Sequence, residues 1–205
     1  MKNWIGISTL LFSGALAAAE LPSLTDLSGW SVQSFVGETQ YQAGPQGLTA
    51  EANATASALG VEQAISAGKR LLWTWAVDQL PTLATGAEQT KQGDDFGARV
   101  YVVRKGLFGL LSTQSLVYVW SQQQPPGTLW DSPYTSKVKM MAVQPATATL
   151  GEWHSVERDL AADWQRAFGR ELDQVDGVAL MVDADNSQTQ ARARFGQLVV
   201  REGVR

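Results

Sequence analysis

Short stretches of alternating apolar and polar residues, separated by turn-forming residues, run through the first part of the chain. Residues 30–35 alternate in this way, Gly37 marks a turn, and residues 39–43 alternate again. A period of two is typical of strands that bury one face. Residues 48–58 read as a further strand, with a helix over residues 50–58 as the alternative because alanine favours helices. The pattern therefore predicts hairpin-linked strands in this region.

Further along the chain, apolar runs rich in valine and aromatic residues also predict strands. They are bounded by glycine, proline and polar residues, which are common in turns. These runs cover residues 71–77, 94–103, 115–121, 138–143, 153–158, 178–182 and 192–200.

A single helix is predicted between Asp159 and Gly169. Leu160, Trp164 and Phe168 recur every four residues, which places them on one helix face. Asp159 is a suitable N-cap, and Gly169 stands where helices commonly end in a left-handed residue. About nine short strands, one helix and long loops predict a mostly all-β fold. We expect an antiparallel β-sandwich of jelly-roll type with one short α-helix.

The first nineteen residues have the pattern of an export signal. Lys2 provides a positive start, residues 5–16 form a short apolar run, and small residues follow at the positions that a signal peptidase reads. The apolar run is shorter than the ~20 residues of a membrane-spanning helix. We expect cleavage after Ala19, or alternatively after Ala17, and one periplasmic domain over residues 20–205 without a transmembrane segment. A retained membrane anchor is the alternative.

Composition excludes several classes of function. The 205 residues include no cysteine and one histidine, His154, which rules out disulfides, cysteine nucleophiles and histidine-rich zinc sites. No G-x-S-x-G motif accompanies His154, so a serine-hydrolase triad is not indicated. With a net charge of −4, the chain is a poor candidate for binding nucleic acid. The sequence gives no indication of the oligomeric state.

An acidic pair, Asp94 and Asp95, precedes the strand that carries Arg99. Neighbouring residues on a regular strand point to opposite faces, so both carboxylates can meet one ligand only if the strand begins after them. They are candidates to bind a hard cation, to pair with Arg99, or only to cap a turn, which aspartates do often.

Arg99 lies among apolar residues and shares a strand face with Tyr101. A buried arginine needs a carboxylate partner, which Asp94, Asp95 or Asp183 could supply. A structural ion pair and an anion-binding role both remain open at this point.

A second acidic corner, Asp183, Asp185 and Asn186, follows a buried strand. Two carboxylates and an amide oxygen within four residues resemble a small ligand set for Ca²⁺. The following residues lack the closing glutamate of an EF-hand loop, and a turn that merely ends the strand is the alternative. No metal ligand and no cofactor is assigned, with Ca²⁺ at this corner as the one ion to consider.

The chain contains eight tryptophans. Trp73 and Trp75 share one face of their strand, and Trp120 lies on a face of another strand with Tyr118. If these faces adjoin Tyr101, they form an aromatic platform of the kind that stacks on sugar rings. The alternative is that the rings fill the core, since aromatic side chains bury large apolar areas.

Several of these stretches together resemble an exported bacterial family known as domain of unknown function 3047. The resemblance is carried by FVGETQY (35–41), LWTW (72–75) with Val77-Asp78 and Leu80-Pro81, KQGDDFGARVYVV (91–103), VALMVDADN (178–186), Tyr118-Val119-Trp120 and Trp153. Thr74 stands where the family typically has an arginine between two aromatic residues. The resemblance implies export and a jelly-roll-like sandwich similar to carbohydrate-binding modules, and it implies no activity or catalytic residue.

Three functional hypotheses follow. The first is a non-catalytic periplasmic module that binds a glycan or a similar polar ligand. Its ligand-binding residues would be Trp73, Trp75, Asp94, Asp95, Arg99, Tyr101, Trp120, Asp183, Asp185 and Asn186. The second is a polysaccharide hydrolase or lyase that uses the acidic corners, for example Asp95 with Asp183 or Asp94 with Glu157. The third is a structural envelope protein with a Ca²⁺-stabilised turn.

Overall fold

The structure is a computed structural model that describes residues 21–106, 109–145 and 147–203, without the side chains of residues 109–111. The predicted export signal, residues 1–19, lies outside the described residues. The described chain forms two β-sheets packed face to face, with one α-helix, which confirms the predicted sandwich of jelly-roll type.

The first sheet has seven strands. Its order is β1 (Ser31–Val36), β4 (Ala56–Ser66), β11 (Gln174–Asp183), β6 (Arg99–Gly106), β7 (Gly109–Trp120), β9 (Thr135–Gln144) and β8 (Leu129–Ser132). The second sheet has the order β10 (His154–Asp159), β5 (Lys69–Gln79), β12 (Gln190–Phe195), β3 (Gly47–Asn53) and β2 (Gln40–Gly44), and β13 (Val199–Glu202) also pairs with β5. The pairing of β7 with β9 is parallel, while the other described pairs are antiparallel.

The main core lies between the two sheets and is rich in aromatic residues. Trp73 and Trp75 of β5 point into it from one sheet, and Tyr118 and Trp120 of β7 from the other. The ring centroids of Trp73 and Tyr118 are 5.4 Å apart, and those of Trp75 and Trp120 are 5.9 Å apart. Aromatic rings at these distances stabilise one another beyond the area that they bury.

The helix, α1, spans Leu160–Phe168 as predicted. The Asp159 carboxylate accepts a hydrogen bond from the Ala162 N–H at 3.0 Å, and Gly169 is left-handed with a φ of 67°. Both caps were identifiable in the sequence because they depend on local hydrogen bonding and backbone freedom. Among the described residues, no helix has the length and apolar character needed to cross a bilayer.

Some predicted elements need correction. Residues 48–58 are neither one strand nor a helix, because the chain reverses at Ala54, with a φ of 51°, between β3 and β4. Residues 192–200 form two strands, β12 and β13. Strand β6 begins at Arg99, later than predicted, so both acids of the first corner lie in the preceding loop. Strand β8 was not predicted.

The outward face of the seven-stranded sheet also carries apolar side chains. In β6, Val100 and Val102 point into the main core, so Arg99 and Tyr101 point to the opposite face. Two smaller apolar clusters lie there, with Tyr101 packed against both of them. This second apolar face is where both acidic corners meet.

Candidate functional site

The two acidic corners meet at Arg99, which is buried. Its Nε donates to Asp183 Oδ1 at 2.9 Å, and its Nη2 donates to Asp183 Oδ2. The strand pairing explains this contact across 84 positions, because Arg99 lies opposite Met181 in the β6–β11 ladder and Asp183 is two residues further on. The predicted ion pair of Arg99 is thus formed with Asp183, and the pair is bidentate.

The remaining donors of the guanidinium are also directed at the chain. Nη2 donates to the Asp94 carbonyl, and Nη1 lies 3.5 Å from both Asp94 Oδ1 and Tyr101 Oη. The Phe96 ring packs on the guanidinium with its centroid 4.5 Å away. Because these groups occupy Arg99, the structure favours a structural ion pair over an anion-binding role.

Asp95 joins the first corner to the second. It is fully buried, and its Oδ1 accepts hydrogen bonds from the Asn186 N–H and Nδ2, each at 3.2 Å. Its Oδ2 accepts from the Ser187 N–H at 2.6 Å. A carboxylate that satisfies backbone donors in this way holds the turn after β11 in place. Asp95 is therefore a cap for the second corner and does not face the solvent.

A groove of about 420 Å³ opens beside this network on the outward face of the seven-stranded sheet. Most of its walls are apolar or aromatic, with polar groups of the two corners at one end. It is lined by Phe35, Val36, Ala56, Asp94, Arg99, Tyr101, Ser132, Tyr134, Thr135, Val138, Met140, Met181, Asp183, Asp185 and Asn186. Six of the ten predicted ligand-binding residues therefore border one groove.

Two exposed aromatic residues of the groove, Phe35 and Tyr134, were not predicted as site residues. Their exposed fractions are 64% and 56%. Tyr134 Oη donates to Asn186 Oδ1 at 2.7 Å, which ties the ring to the second corner. The sequence did contain an indication that Tyr134 is exposed. It follows a polar loop with several prolines, and side chains in such loops commonly lie at the surface.

The prediction that three tryptophans contribute to an aromatic binding platform is wrong. Trp73, Trp75 and Trp120 are at most 2% exposed, because they project between the sheets and not outward. The Trp75 Nε1 donates within the core, to Gln144 Oε1 at 3.4 Å. Of the predicted platform, Tyr101 alone borders the groove.

Burial and the crowding of charges perturb the titration of this site. For Arg99, burial acts to lower the pKa, but the neighbouring Asp183 and Asp94 hold that pKa well above its usual value. Burial raises the pKa of Asp94 and of Asp183, while Arg99 acts against both rises. Burial also raises the pKa of Asp185, and the nearby Asp95 carboxylate adds to this rise. Burial therefore makes these carboxyl groups easier to protonate than exposed ones, and the charge of Arg99 opposes this effect.

Three carboxylates of the network are close enough to be considered as a Ca²⁺ site. Oxygen atoms of Asp95, Asp183 and Asp185 lie within 4.8 Å of one another. Asp95 and Asp183 already accept hydrogen bonds from N–H groups, and Arg99 supplies positive charge to Asp183. The donors of the chain therefore occupy the oxygens that an ion would need.

Millimolar Ca²⁺ is accordingly expected to leave the melting temperature of the protein essentially unchanged. An ion bound to the native state at about 100 times its dissociation constant would instead stabilise it by about 2.7 kcal/mol, which is several degrees. Differential scanning fluorimetry with Ca²⁺ and with Mg²⁺ measures this. A Ca²⁺-specific rise that disappears in Asp185→Ala would establish the ion site after all.

The carboxylate pairs considered for hydrolysis are not arranged across a cleft. Asp95 and Asp183 are held by hydrogen bonds in one network, and Glu157 lies on β10 of the other sheet, where it pairs with Arg70 at 2.7 Å. The lone histidine, His154, packs against Trp120 with ring centroids 5.1 Å apart. Neither Asp95 nor Glu157 lines the groove, so neither of the two pairs considered for hydrolysis faces a ligand there.

Comparison with known proteins identifies a family. The family described as "Protein of unknown function (DUF3047)" matches residues 28–199. None of the curated proteins matches the sequence.

Similar solved structures include proteins whose names refer to carbohydrates. The loop-swap mutant of Xyn11A from Necallimastix patriciarum has a TM-score of 0.41 and 10% identity, covering 84% of this chain and 90% of that chain. The family 12 xyloglucanase from Bacillus licheniformis has a TM-score of 0.41 and 5% identity, covering 84% and 100%. The carbohydrate recognition domain of Emp47p has a TM-score of 0.42 and 12% identity, covering 92% and 96%. These values describe a likeness of overall fold.

Proposed function

The chain belongs to the DUF3047 family of proteins of unknown function, and from that premise we propose that it is a non-catalytic glycan-binding module whose ligand lies in the groove of the seven-stranded sheet. The observation that carries the proposal is the composition of that groove. An open trough of about 420 Å³ combines exposed aromatic rings with a group of polar side chains at one end. This is the usual composition of a small-ligand site.

The aromatic walls suit the apolar faces of sugar rings. Tyr134 and Phe35 expose more than half of their surface, and Tyr101 contributes a half-buried edge. Sugar rings present C–H groups on their faces, which pack well on aromatic surfaces. The hydrogen bond from Tyr134 to Asn186 holds that ring in position, so less conformational entropy is lost when a ligand binds.

The polar end of the groove suits sugar hydroxyls. The carboxylates of Asp94 and Asp185 border the groove and accept hydrogen bonds, which hydroxyl groups can donate. Arg99 donates to the Asp94 carbonyl, and Asp95 accepts from the Asn186 side chain, so both are positioning residues in this proposal. The export signal predicted at residues 1–19 supports a periplasmic location, where cell-wall and exopolysaccharide glycans are within reach.

Replacement of Tyr134 by alanine is expected to weaken glycan binding by roughly five- to tenfold, or about 1 kcal/mol, because a stacking surface is lost. The side chain is exposed, so the melting temperature should change little. A glycan array selects a ligand, and isothermal titration calorimetry then measures affinity for the variant.

The matched control is Trp153→Ala, which removes an exposed aromatic ring just before β10 of the other sheet. The Arg194 guanidinium carbon lies 5.1 Å from the centroid of that ring. Binding should be unaffected by that change. The proposed site is wrong if Trp153→Ala abolishes binding while Tyr134→Ala leaves it intact, and the proposed function is wrong if no glycan binds the wild-type protein.

A further inference from the structure

We propose that the groove is selective for a ligand with a protonated amino group, so that the preferred glycan is one containing an amino sugar with a free amine. This inference rests on the proposed glycan-binding function and narrows it to a class of ligand. It follows from the balance of charge in the groove, from a carboxylate oxygen of Asp94 that borders the groove, and from the aromatic walls.

The charge balance of the groove is negative. Asp94, Asp183 and Asp185 border it, against Arg99 as the one cationic lining residue in the described chain. The guanidinium of Arg99 is directed at Asp183 and at the Asp94 carbonyl, and Asp95 adds a further buried carboxylate close behind. Carboxylates at this end are therefore without a full complement of positive charge.

Asp94 offers the clearest unfilled contact. The residue is only 6% exposed, and its Oδ1 makes a long contact of 3.5 Å with Arg99 Nη1. No donor in the described part of the chain lies within hydrogen-bonding distance of its Oδ2. Because Asp94 borders the groove, this oxygen can accept a hydrogen bond from a donor of the ligand.

Asp185 provides a second carboxylate at the same end of the groove. It accepts a single side-chain hydrogen bond, from Asn186 Nδ2 at 3.3 Å. Burial raises the pKa of Asp94 and of Asp185, and the charge of Arg99 acts against both rises. An ammonium group has three donors and a full charge, so it pairs more strongly with either carboxylate than a neutral hydroxyl does.

The aromatic walls also favour a cation. The negative face of an aromatic ring attracts an ammonium group, and Tyr101, Tyr134 and Phe35 all border the groove. The chain itself shows this preference, since Lys91 Nζ lies 5.3 Å from the centroid of the Tyr134 ring. Lys91 is directed at the ring and not at the carboxylates, so it leaves their charge uncompensated.

These contacts discriminate between sugars that differ only in charge. A uronic acid brings a carboxylate next to Asp94 and Asp185, where like charges repel. An N-acetylated sugar has the same ring but lacks the positive charge. We expect a free amine to improve affinity by about tenfold over its N-acetylated counterpart, which corresponds to about one partly buried ion pair.

The test compares four oligosaccharides of equal length by isothermal titration calorimetry with the full chain. These are a β-1,4 glucosamine tetramer at a pH where its amines are protonated, its N-acetylated form, a glucose tetramer and a galacturonate tetramer. The expected order is the amine first, the two neutral oligomers about tenfold weaker, and the acidic one undetectable. Asp185→Asn should reduce the preference for the amine while leaving the affinity for neutral oligomers within about twofold, because it removes charge and keeps the side-chain shape.

Asp94→Asn is a second variant for the same contact, and Glu51→Gln is the matched control, since Glu51 is an exposed acid of the other sheet. Circular dichroism establishes that each variant is folded. If neutral and amino oligomers bind equally well, the amine selectivity is overturned while the glycan-binding function stands. If no oligomer binds, both the selectivity and the glycan-binding function are overturned.

Discussion

Replacement of Arg99 by methionine is expected to lower the free energy of unfolding by about 3–5 kcal/mol. The substitution keeps an apolar side chain of similar length but leaves Asp183 and Asp94 buried without their counter-ion. Both carboxylates are more than 90% buried, so water replaces the guanidinium poorly. Urea denaturation followed by tryptophan fluorescence measures the loss.

Arg104→Met is the matched control for this prediction. Arg104 also forms a bidentate pair with an aspartate, Asp173, with both contacts at 2.8 Å, but the Asp173 side chain is 71% exposed. Exposed ion pairs contribute about 1 kcal/mol or less, so this variant should be destabilised far less. Equal effects of the two substitutions would show that Arg99 is not held in a desolvated network.

The double variant Arg99→Met/Asp183→Leu separates the ion pair from general packing. Removing both members of a buried pair eliminates the uncompensated charge, so the double variant should recover a large part of the lost stability. Asp94 still loses a partner, which limits the recovery. If the double variant is as unstable as the sum of the two single ones, the loss arises from packing and not from charge.

Replacement of Trp75 by alanine is expected to destabilise the protein by about 3–5 kcal/mol, which lowers the melting temperature by roughly 10 °C in a domain of this size. Trp75 is fully buried and packs edge-on against Trp73, with ring centroids 5.4 Å apart. The alanine leaves a large cavity between the sheets, which the neighbouring rings cannot fill.

Tyr134→Ala is the contrasting variant for this second prediction. Its ring is exposed, so its removal should change stability by about 0.5 kcal/mol or less while it weakens ligand binding. The two aromatic residues thus have opposite expected effects on stability and on binding. If Trp75→Ala instead keeps native stability and loses ligand binding, the tryptophans form the binding platform and the prediction made here is wrong.

The charged network and the groove are parts of one arrangement. Arg99 holds the end of β11 to the loop before β6, and Asp95 holds the turn that carries Asn186. Asn186 in turn accepts the hydrogen bond of Tyr134. A rigid polar network therefore fixes the aromatic ring that we propose as a ligand contact, which lowers the entropic cost of binding.

The sequence was sufficient for features that depend on neighbouring residues. Asp159 and Gly169 defined the ends of α1 because a side-chain cap and a left-handed glycine act within one helical turn. The need of Arg99 for a carboxylate was also visible, since a guanidinium among apolar residues cannot remain unpaired. Which acid would meet it depended on the pairing of β6 with β11.

The direction of the tryptophans was decided by the tertiary structure alone. Alternation showed that Tyr118 and Trp120 share a face of β7, but both faces of a strand can be apolar when a sheet has clusters on each side. The seven-stranded sheet has such clusters on each of its faces, between the sheets and beside the groove. A period of two tells which side chains point together, whereas the side that becomes solvent-exposed follows from how the sheets stack.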